Sequence, residues 1–252
     1  MFLRVTVLLL SSTILFSRFS IAQTMPPGRS LQSPASTALA QASQERSPVS
    51  FVDLQAPLKA RKAYNQAVED YRARRLPQAE KSLDKALAIH PGYPAALTLR
   101  GLLLLNTRQV AEAEQQFQAA VRCDPRYHMA HIGLGAAYNA ELRFDEAMRS
   151  AEQGLALAPT FWWGYYEMAL AMVGVKQYEA ALAVLSRAER TLPNEVSLLL
   201  LPKAGALAGL KNYAQASREL ERYLEKEPTG PGANDARDLL ARFKTLMAER
   251  DN

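Results

Sequence analysis

From Pro57 onward, apolar residues recur three and four positions apart, and they do not alternate with polar residues as they would in a strand. This spacing places apolar side chains on one face of an α-helix. Short polar turns such as LNTRQ and GVKQ separate the apolar stretches, and a proline stands near the end of every second stretch. Because proline cannot continue a helix, the pattern predicts an all-α fold built from short helices.

The helical pattern repeats at a fixed interval, with successive terminal prolines 34, 34, 34 and 35 residues apart. Three further columns keep register with the prolines: a larger apolar residue and two small residues in each unit. The columns are Pro91, Pro125, Pro159, Pro193 and Pro228; Leu76, Val110, Phe144, Tyr178 and Tyr213; Ala79, Ala113, Ala147, Ala181 and Ala216; and Ala67, Gly101, Gly135, Ala169 and Ala204. Small residues in two columns allow paired helices to approach closely. A repeat of this length predicts a solenoid.

The interval, the small-residue columns and the unit endings ALAIHP, AVRCDP and GLALAP resemble the tetratricopeptide repeat. The resemblance implies a right-handed superhelical solenoid of about five helix hairpins over residues 57–231, followed by a capping helix at 232–250. The expected units are about 60–93, 94–127, 128–161, 162–195 and 196–230. The fifth unit has one extra residue and contains Pro202, which we expect to kink or delay its first helix.

The first 22 residues have the plan of a secretory signal peptide. A cationic start (MFLR) precedes the apolar run VTVLLLSSTILF, and Ser20 and Ala22 are small residues suited to cleavage before Gln23. Arg18 interrupts the run well short of the roughly twenty apolar residues that span a bilayer. We therefore expect a periplasmic or secreted protein with no stable membrane anchor.

Residues 23–56 are rich in Pro, Ser and Gln and contain few large apolar residues before Phe51. Such a segment buries too little apolar surface to offset the entropy lost on ordering. The sequence therefore predicts a disordered linker between the signal peptide and the solenoid.

The stretch FWWGYYEMAL, residues 161–170, combines core positions with candidate binding positions. On a helix that begins at Trp162, the side chains of Trp163 and Tyr166 share one stripe, and the resemblance implies that this stripe lines a concave surface. We name the corresponding set in the first four units the inner stripe: Tyr64, Val68, Tyr71, Thr98, Leu102, Leu105, Met129, Ile132, Asn139, Trp163, Tyr166, Leu170 and Val173. Because neighbouring first helices press together, about half of it is expected to be core.

An apolar and aromatic inner stripe suits a helix or an extended segment of a partner protein. Some family members bind a partner's terminal carboxylate through Lys, Arg and Asn on this surface, but here only Asn139 is of that kind. We predict a non-catalytic protein–protein interaction scaffold of the cell envelope, in which Trp163→Ala plus Tyr166→Ala weakens binding more than stability. The alternatives are a regulatory or targeting subunit of an envelope enzyme complex and a scaffold that self-associates as a homo-oligomer.

The charge of the chain and its possible metal-binding and catalytic residues do not indicate a second function. The net charge of +5 falls to +3 without Arg4 and Arg18, which is too little to favour nucleic acid. Two histidines, His128 and His131, and the single cysteine, Cys123, are zinc-ligand types. However, His131 occupies a packing column and Cys123 belongs to the preceding helix end, so we predict no metal site. The sequence contains no phosphate loop or nucleophile elbow, and we expect no cofactor and no catalytic residue.

Overall fold

The computed structural model describes residues 55–250, and this part of the chain is helical, with no strand in it. The described residues all belong to one compact unit. The predicted signal peptide (1–22) and nearly all of the predicted linker (23–56) lie outside the described residues. Both therefore remain predictions.

Within the described residues, ten helices form five consecutive hairpins, in which each first helix packs against the second helix that follows it. The hairpins are α1 (Leu58–Arg72) with α2 (Leu76–Ile89), α3 (Pro94–Asn106) with α4 (Val110–Cys123), α5 (His128–Ala140) with α6 (Phe144–Leu157), α7 (Trp162–Gly174) with α8 (Tyr178–Thr191), and α9 (Leu200–Gly209) with α10 (Tyr213–Lys226). A last helix, α11 (Ala233–Arg250), packs against α10. The predicted all-α architecture is confirmed.

Every hairpin turns at a residue in the left-handed region of backbone space, although none of these residues is glycine. They are Arg74, Arg108, Leu142, Lys176 and Lys211, with φ between 59° and 62°. In the third hairpin, Leu142 follows the end of α5, and the backbone N–H of Arg143 donates to the carbonyl oxygen of Tyr138 at 2.9 Å. This bond belongs to the Schellman ending, which reverses the chain while the last helical carbonyls keep a donor. The equivalent bond closes the other four hairpins.

Glycines allow the aromatic residues of second helices to pack directly on the backbone of first helices. A Cβ added to Gly101 in α3 would stand 2.6 Å from the ring of Phe117 in α4, and one added to Gly133 in α5 would stand 2.4 Å from the same ring. The ring of Phe144 lies equally close to Gly174. The small residue at Gly101, predicted from its column, is therefore required by a close helix contact.

The contacts between hairpins show which helices form the inner side of the solenoid. Consecutive first helices touch one another, in the pairs α1–α3, α3–α5, α5–α7 and α7–α9. Consecutive second helices of the described chain make no comparable contact. The stack is therefore tighter along its first helices, which places them on the inside of the curve and the second helices on the outside.

The fifth hairpin starts differently from the others. Ser197–Leu199 form a turn of 3₁₀-helix, and α9 then runs only from Leu200 to Gly209. Pro202 is the third residue of α9 and is buried. A proline within the first turn of a helix removes an N–H that has no intrahelical acceptor, so it is tolerated there. Pro202 thus accompanies a late start of the α-helix rather than a kink within it.

Candidate partner-binding surface

The thirteen residues of the inner stripe lie on the first helices, and the structure encloses most of them. Ten of its thirteen residues are buried: Val68, Tyr71, Thr98, Leu102, Met129, Ile132, Asn139, Trp163, Tyr166 and Val173. Three are half-exposed: Tyr64 in α1, Leu105 in α3 and Leu170 in α7. Within the inner stripe, only these three side chains are accessible to a partner without rearrangement.

The two aromatic residues expected to anchor a partner, Trp163 and Tyr166, are each only 1% exposed. Truncating a buried aromatic residue to alanine leaves a cavity and typically costs about 3–5 kcal/mol of stability. The double change Trp163→Ala plus Tyr166→Ala would therefore unfold or loosen the fourth hairpin. It does not separate binding from stability in the way the sequence suggested, because neighbouring helices cover these rings.

A polar cluster connects α5 to α7. The side-chain amide of Asn139 donates to the carboxylate of Glu167 at 2.8 Å and to the backbone carbonyl of Glu167 at 2.9 Å. The indole Nε1 of Trp163 donates to the other carboxylate oxygen at 2.7 Å. With the adjacent Tyr166, these residues form what we call the Glu167 cluster. Glu167 itself is 5% exposed.

Burial raises the pKa of Glu167 to about 7, against the opposing effect of the hydrogen bonds from Asn139 and Trp163. Burial also raises the pKa of Tyr166, and the neighbouring Glu167 carboxylate adds to that shift. Sequence analysis missed Glu167. The available signal was that it is the only charged residue between Phe161 and Leu170, a stretch that is otherwise apolar or aromatic.

Several polar atoms of the inner stripe are buried without a hydrogen-bond partner in the structure. They are Oγ1 of Thr98 in α3, Oδ1 of Asn139 in α5 and the hydroxyl of Tyr166 in α7. A buried polar atom without a partner costs free energy, so such atoms are uncommon in native folds. Buried polar atoms without a partner also occur away from the stripe, on Arg61, His90, His131 and Ser217.

The three side chains that could act as zinc ligands are either packed against neighbouring groups or exposed on their own. His128 is buried against the edge of Phe161, with ring centroids 5.1 Å apart, and burial lowers the pKa of His128 to about 4. The Nε2 of His131 lies 2.8 Å from the carbonyl oxygen of Pro125. Cys123 is exposed. Within residues 55–250, no three His, Cys, Asp or Glu side chains are grouped closely enough to hold a metal ion.

Comparison with known proteins agrees with this architecture. A tetratricopeptide-repeat family model matches residues 64–128. The crystal structure of a thermophilic tetratricopeptide-repeat protein of Thermus thermophilus superposes with a TM-score of 0.61 at 18% identity, covering 75% of this chain and 99% of that one. The chain has the tetratricopeptide-repeat fold. PilW, described as a widely conserved type IV pilus biogenesis factor, has the same fold, with a TM-score of 0.63 at 17% identity over 76% of this chain and 93% of that one.

Longer tetratricopeptide-repeat proteins are similar in sequence. Superkiller protein 3 of Schizosaccharomyces pombe is 30% identical over 134 residues, which are 51% of this chain and 10% of that protein. Anaphase-promoting complex subunit 3 of the same organism is 27% identical over 57% of this chain and 22% of that protein. This chain therefore spans a small part of these relatives. What they share with it is the repeat, and proteins of this fold are generally protein-interaction scaffolds.

None of the helices in the described part of the chain combines the length and the apolar character needed to cross a membrane.

Proposed function

We propose that the protein is a non-catalytic interaction scaffold of the cell envelope that binds a segment of a partner protein along the inner stripe. The observation that carries this proposal is the position of Tyr64, Leu105 and Leu170. These apolar or aromatic side chains are half-buried on the first helices of a tetratricopeptide-repeat solenoid, and we infer that they face the concave side that such folds present to partners. The envelope location is supported by the signal-peptide pattern of residues 1–22.

The enclosed residues of the stripe support this role indirectly. Because Trp163 and Tyr166 are packed, the first helices form a firm wall, and a partner does not have to order them when it binds. The half-exposed residues then supply the apolar contact area. Completing the burial of one such leucine is worth about 1 kcal/mol, so several contacts along the stripe are needed for useful affinity.

Two double variants separate the inner stripe from the outer side. The test pair is Leu105→Gln plus Leu170→Gln, both on first helices. The control pair is Ile89→Gln plus Leu157→Gln, which are the last residues of the second helices α2 and α6 and are 43% and 37% exposed. Both pairs replace aliphatic residues by the same amide, and a thermal melt of each variant checks that their effects on stability are similar.

Each variant is used to capture proteins from envelope extracts, with quantitative mass spectrometry and a thermal melt of the bait. We expect the native chain and the control pair to capture a partner protein that the test pair does not capture. The three bait proteins should have equal melting temperatures. Equal retention by the two pairs would place the binding surface elsewhere. Equal loss by both pairs, with lowered melting temperatures, would mean that the substitutions act through stability.

A further inference from the structure

The carboxylate of Glu167 has no cationic partner in the described part of the chain. Its two hydrogen bonds come from neutral groups, the indole of Trp163 and the amide of Asn139. None of the ion pairs found among residues 55–250 includes it. A buried carboxylate is costly unless a cation or several donors compensate it, and the raised pKa of Glu167 reflects that cost.

The atoms around this carboxylate have unused acceptor capacity. Nδ2 of Asn139 is committed to Glu167, so Oδ1 of the same amide, which is buried and lacks a partner, can only accept. The hydroxyl of Tyr166, on the residue next to Glu167, is also buried without a partner, and the pKa of Tyr166 is raised by burial and by the charges of Glu167 and of Tyr223 in α10. The cluster thus contains one carboxylate, on Glu167, and two oxygens that can accept further hydrogen bonds, Oδ1 of Asn139 and the hydroxyl of Tyr166. The only donor in the cluster without a partner is that hydroxyl.

The complementary ligand carries a positive charge and several N–H donors, which describes an ammonium or a guanidinium group. The rings of Trp163 and Tyr166 add faces that attract such cations. We propose that the Glu167 cluster is a subsite for a Lys or Arg side chain on the partner segment that occupies the inner stripe. This proposal rests on the proposed function, and it selects a basic partner rather than one presenting an acidic terminus.

The position of the cluster on the inner stripe gives a route to it. Leu170 lies three residues after Glu167 and four after Tyr166, so its side chain is on the same face one helical turn along. Leu170 is half-exposed, whereas Glu167 is 5% exposed. Because Leu170 is the more exposed neighbour on this face of α7, we propose that a cationic side chain reaches the carboxylate when the Leu170 side chain moves aside.

Small cations test the subsite directly, without knowledge of the partner. Nitrogen-15 NMR of the full chain resolves the two tryptophan indole signals, and a Trp163→Phe variant assigns the one that reports on Glu167. Titration with n-butylammonium and n-propylguanidinium, which mimic Lys and Arg side chains, is compared with n-butanol and butyrate. We expect a saturable shift of the Trp163 signal with the two cations only. Between about pH 8 and pH 6 the apparent affinity should fall about tenfold, as the carboxylate gains its proton.

The variant Glu167→Gln removes the charge and keeps a side chain of the same size and an acceptor oxygen. It should melt no lower than the native chain and should lose the cation-dependent shift. It should also bind the partner captured in the preceding experiment at least about tenfold more weakly, since hydrogen bonds to charged groups contribute about 1.5–3 kcal/mol. An unchanged titration in Glu167→Gln, or an equal shift with n-butanol, would overturn the subsite.

A second variant tests whether a basic side chain of this same chain, and not one of a partner, occupies the Glu167 cluster. Arg29 and Arg46 are the only basic residues between positions 23 and 54. Substituting both by glutamine should leave the Trp163 signal and the cation titration unchanged. A shifted signal with tighter probe binding would mean that an arginine of this chain occupies the cluster, and the assignment to a partner would be wrong. A partner that Leu105→Gln plus Leu170→Gln loses but Glu167→Gln retains would support the proposed function and overturn the subsite.

Discussion

The ring of Phe117 in α4 lies against the backbone of Gly133 in α5, where an added Cβ would stand 2.4 Å from the ring. The same ring lies against Gly101 in α3, 2.6 Å from the equivalent added atom. One buried side chain therefore fills the space between the second and third hairpins. The spacing of neighbouring hairpins depends on glycine at both contacts, because the ring is fully buried and has no room to withdraw.

Gly133→Ala is expected to destabilise the protein by about 1–3 kcal/mol, the usual cost of overpacking a core. This loss should exceed the gain in helix propensity of about 1 kcal/mol that alanine brings over glycine. Gly205→Ala in α9 is the matched control, because its added Cβ would meet only Cγ1 of Val173, at 3.7 Å. Urea denaturation should show a loss for Gly133→Ala and no loss for Gly205→Ala. Equal midpoints for the two variants would contradict the contact.

The left-handed turn residues predict a stabilising substitution. Leu142 has φ of 61° and a side chain that is 47% exposed, so it contributes little packing and adopts a conformation that is costly for a residue with a Cβ. Leu142→Gly should raise stability by up to about 1 kcal/mol, partly offset by the greater freedom of glycine in the unfolded chain.

The control for this turn is Leu157→Gly, at the end of α6. Leu157 is similarly exposed but helical, so glycine there should destabilise by about 0.5–1 kcal/mol. Thermal melts of the two variants should therefore move in opposite directions from the native melting temperature. A fall in both would show that the Leu142 side chain matters more than its backbone conformation.

The sequence was sufficient for the repeat architecture because that architecture depends on local spacing. The columns of Ala79 and Gly101 and the prolines recur at one interval, and each unit folds through contacts close in sequence. Gly101, which packs against Phe117, follows the same logic. Gly133, however, lies outside the predicted columns, since its role depends on an aromatic ring in the preceding hairpin.

The inner stripe was harder to predict because burial depends on the neighbouring helices. The spacing of Trp163 and Tyr166 fixes their face of α7, but only the packing of α5 and α9 against α7 determines how closely that face is covered. The same limit applies to Glu167, whose significance lies in Asn139 on another helix. The left-handed residues also carried no sequence signal, because residues such as Leu142 seldom adopt that conformation.

Glu167 should make stability depend on pH. The pKa of Glu167 is raised from 4.5 to about 7 in the folded chain. Between these two pH values the carboxyl group is largely ionised in the unfolded chain but still protonated in the folded chain, so the folded chain binds more protons. The contribution of Glu167 to the free energy of unfolding is therefore fully present below about pH 4.5 and is lost as the pH rises through about 7. The full shift corresponds to a few kcal/mol, on the order of 3.

Glu167→Gln cannot titrate, so the difference in unfolding free energy between it and the native chain isolates this effect. The native chain should lose stability relative to Glu167→Gln between about pH 5 and pH 8, as followed by urea denaturation. His128, with a pKa lowered to about 4, favours unfolding in acid, but it does so in both proteins and cancels in the difference. A difference that stays constant over this range would show that the Glu167 pKa is not raised.

Export is the remaining expectation from the sequence, and it has a direct test. If residues 1–22 act as a signal peptide, protein recovered from an envelope fraction should begin at Gln23, as intact mass and amino-terminal sequencing would show. Signal peptidases require a small residue just before the cut, so Ala22→Asp should leave the leader attached, whereas the conservative Ala22→Ser should be processed normally. If the native chain, Ala22→Asp and Ala22→Ser were all recovered from the cytoplasmic fraction with Met1 as the first residue, the proposed envelope location would be wrong. The inner-stripe experiments would keep their meaning in that case, because they test the binding surface and not the compartment.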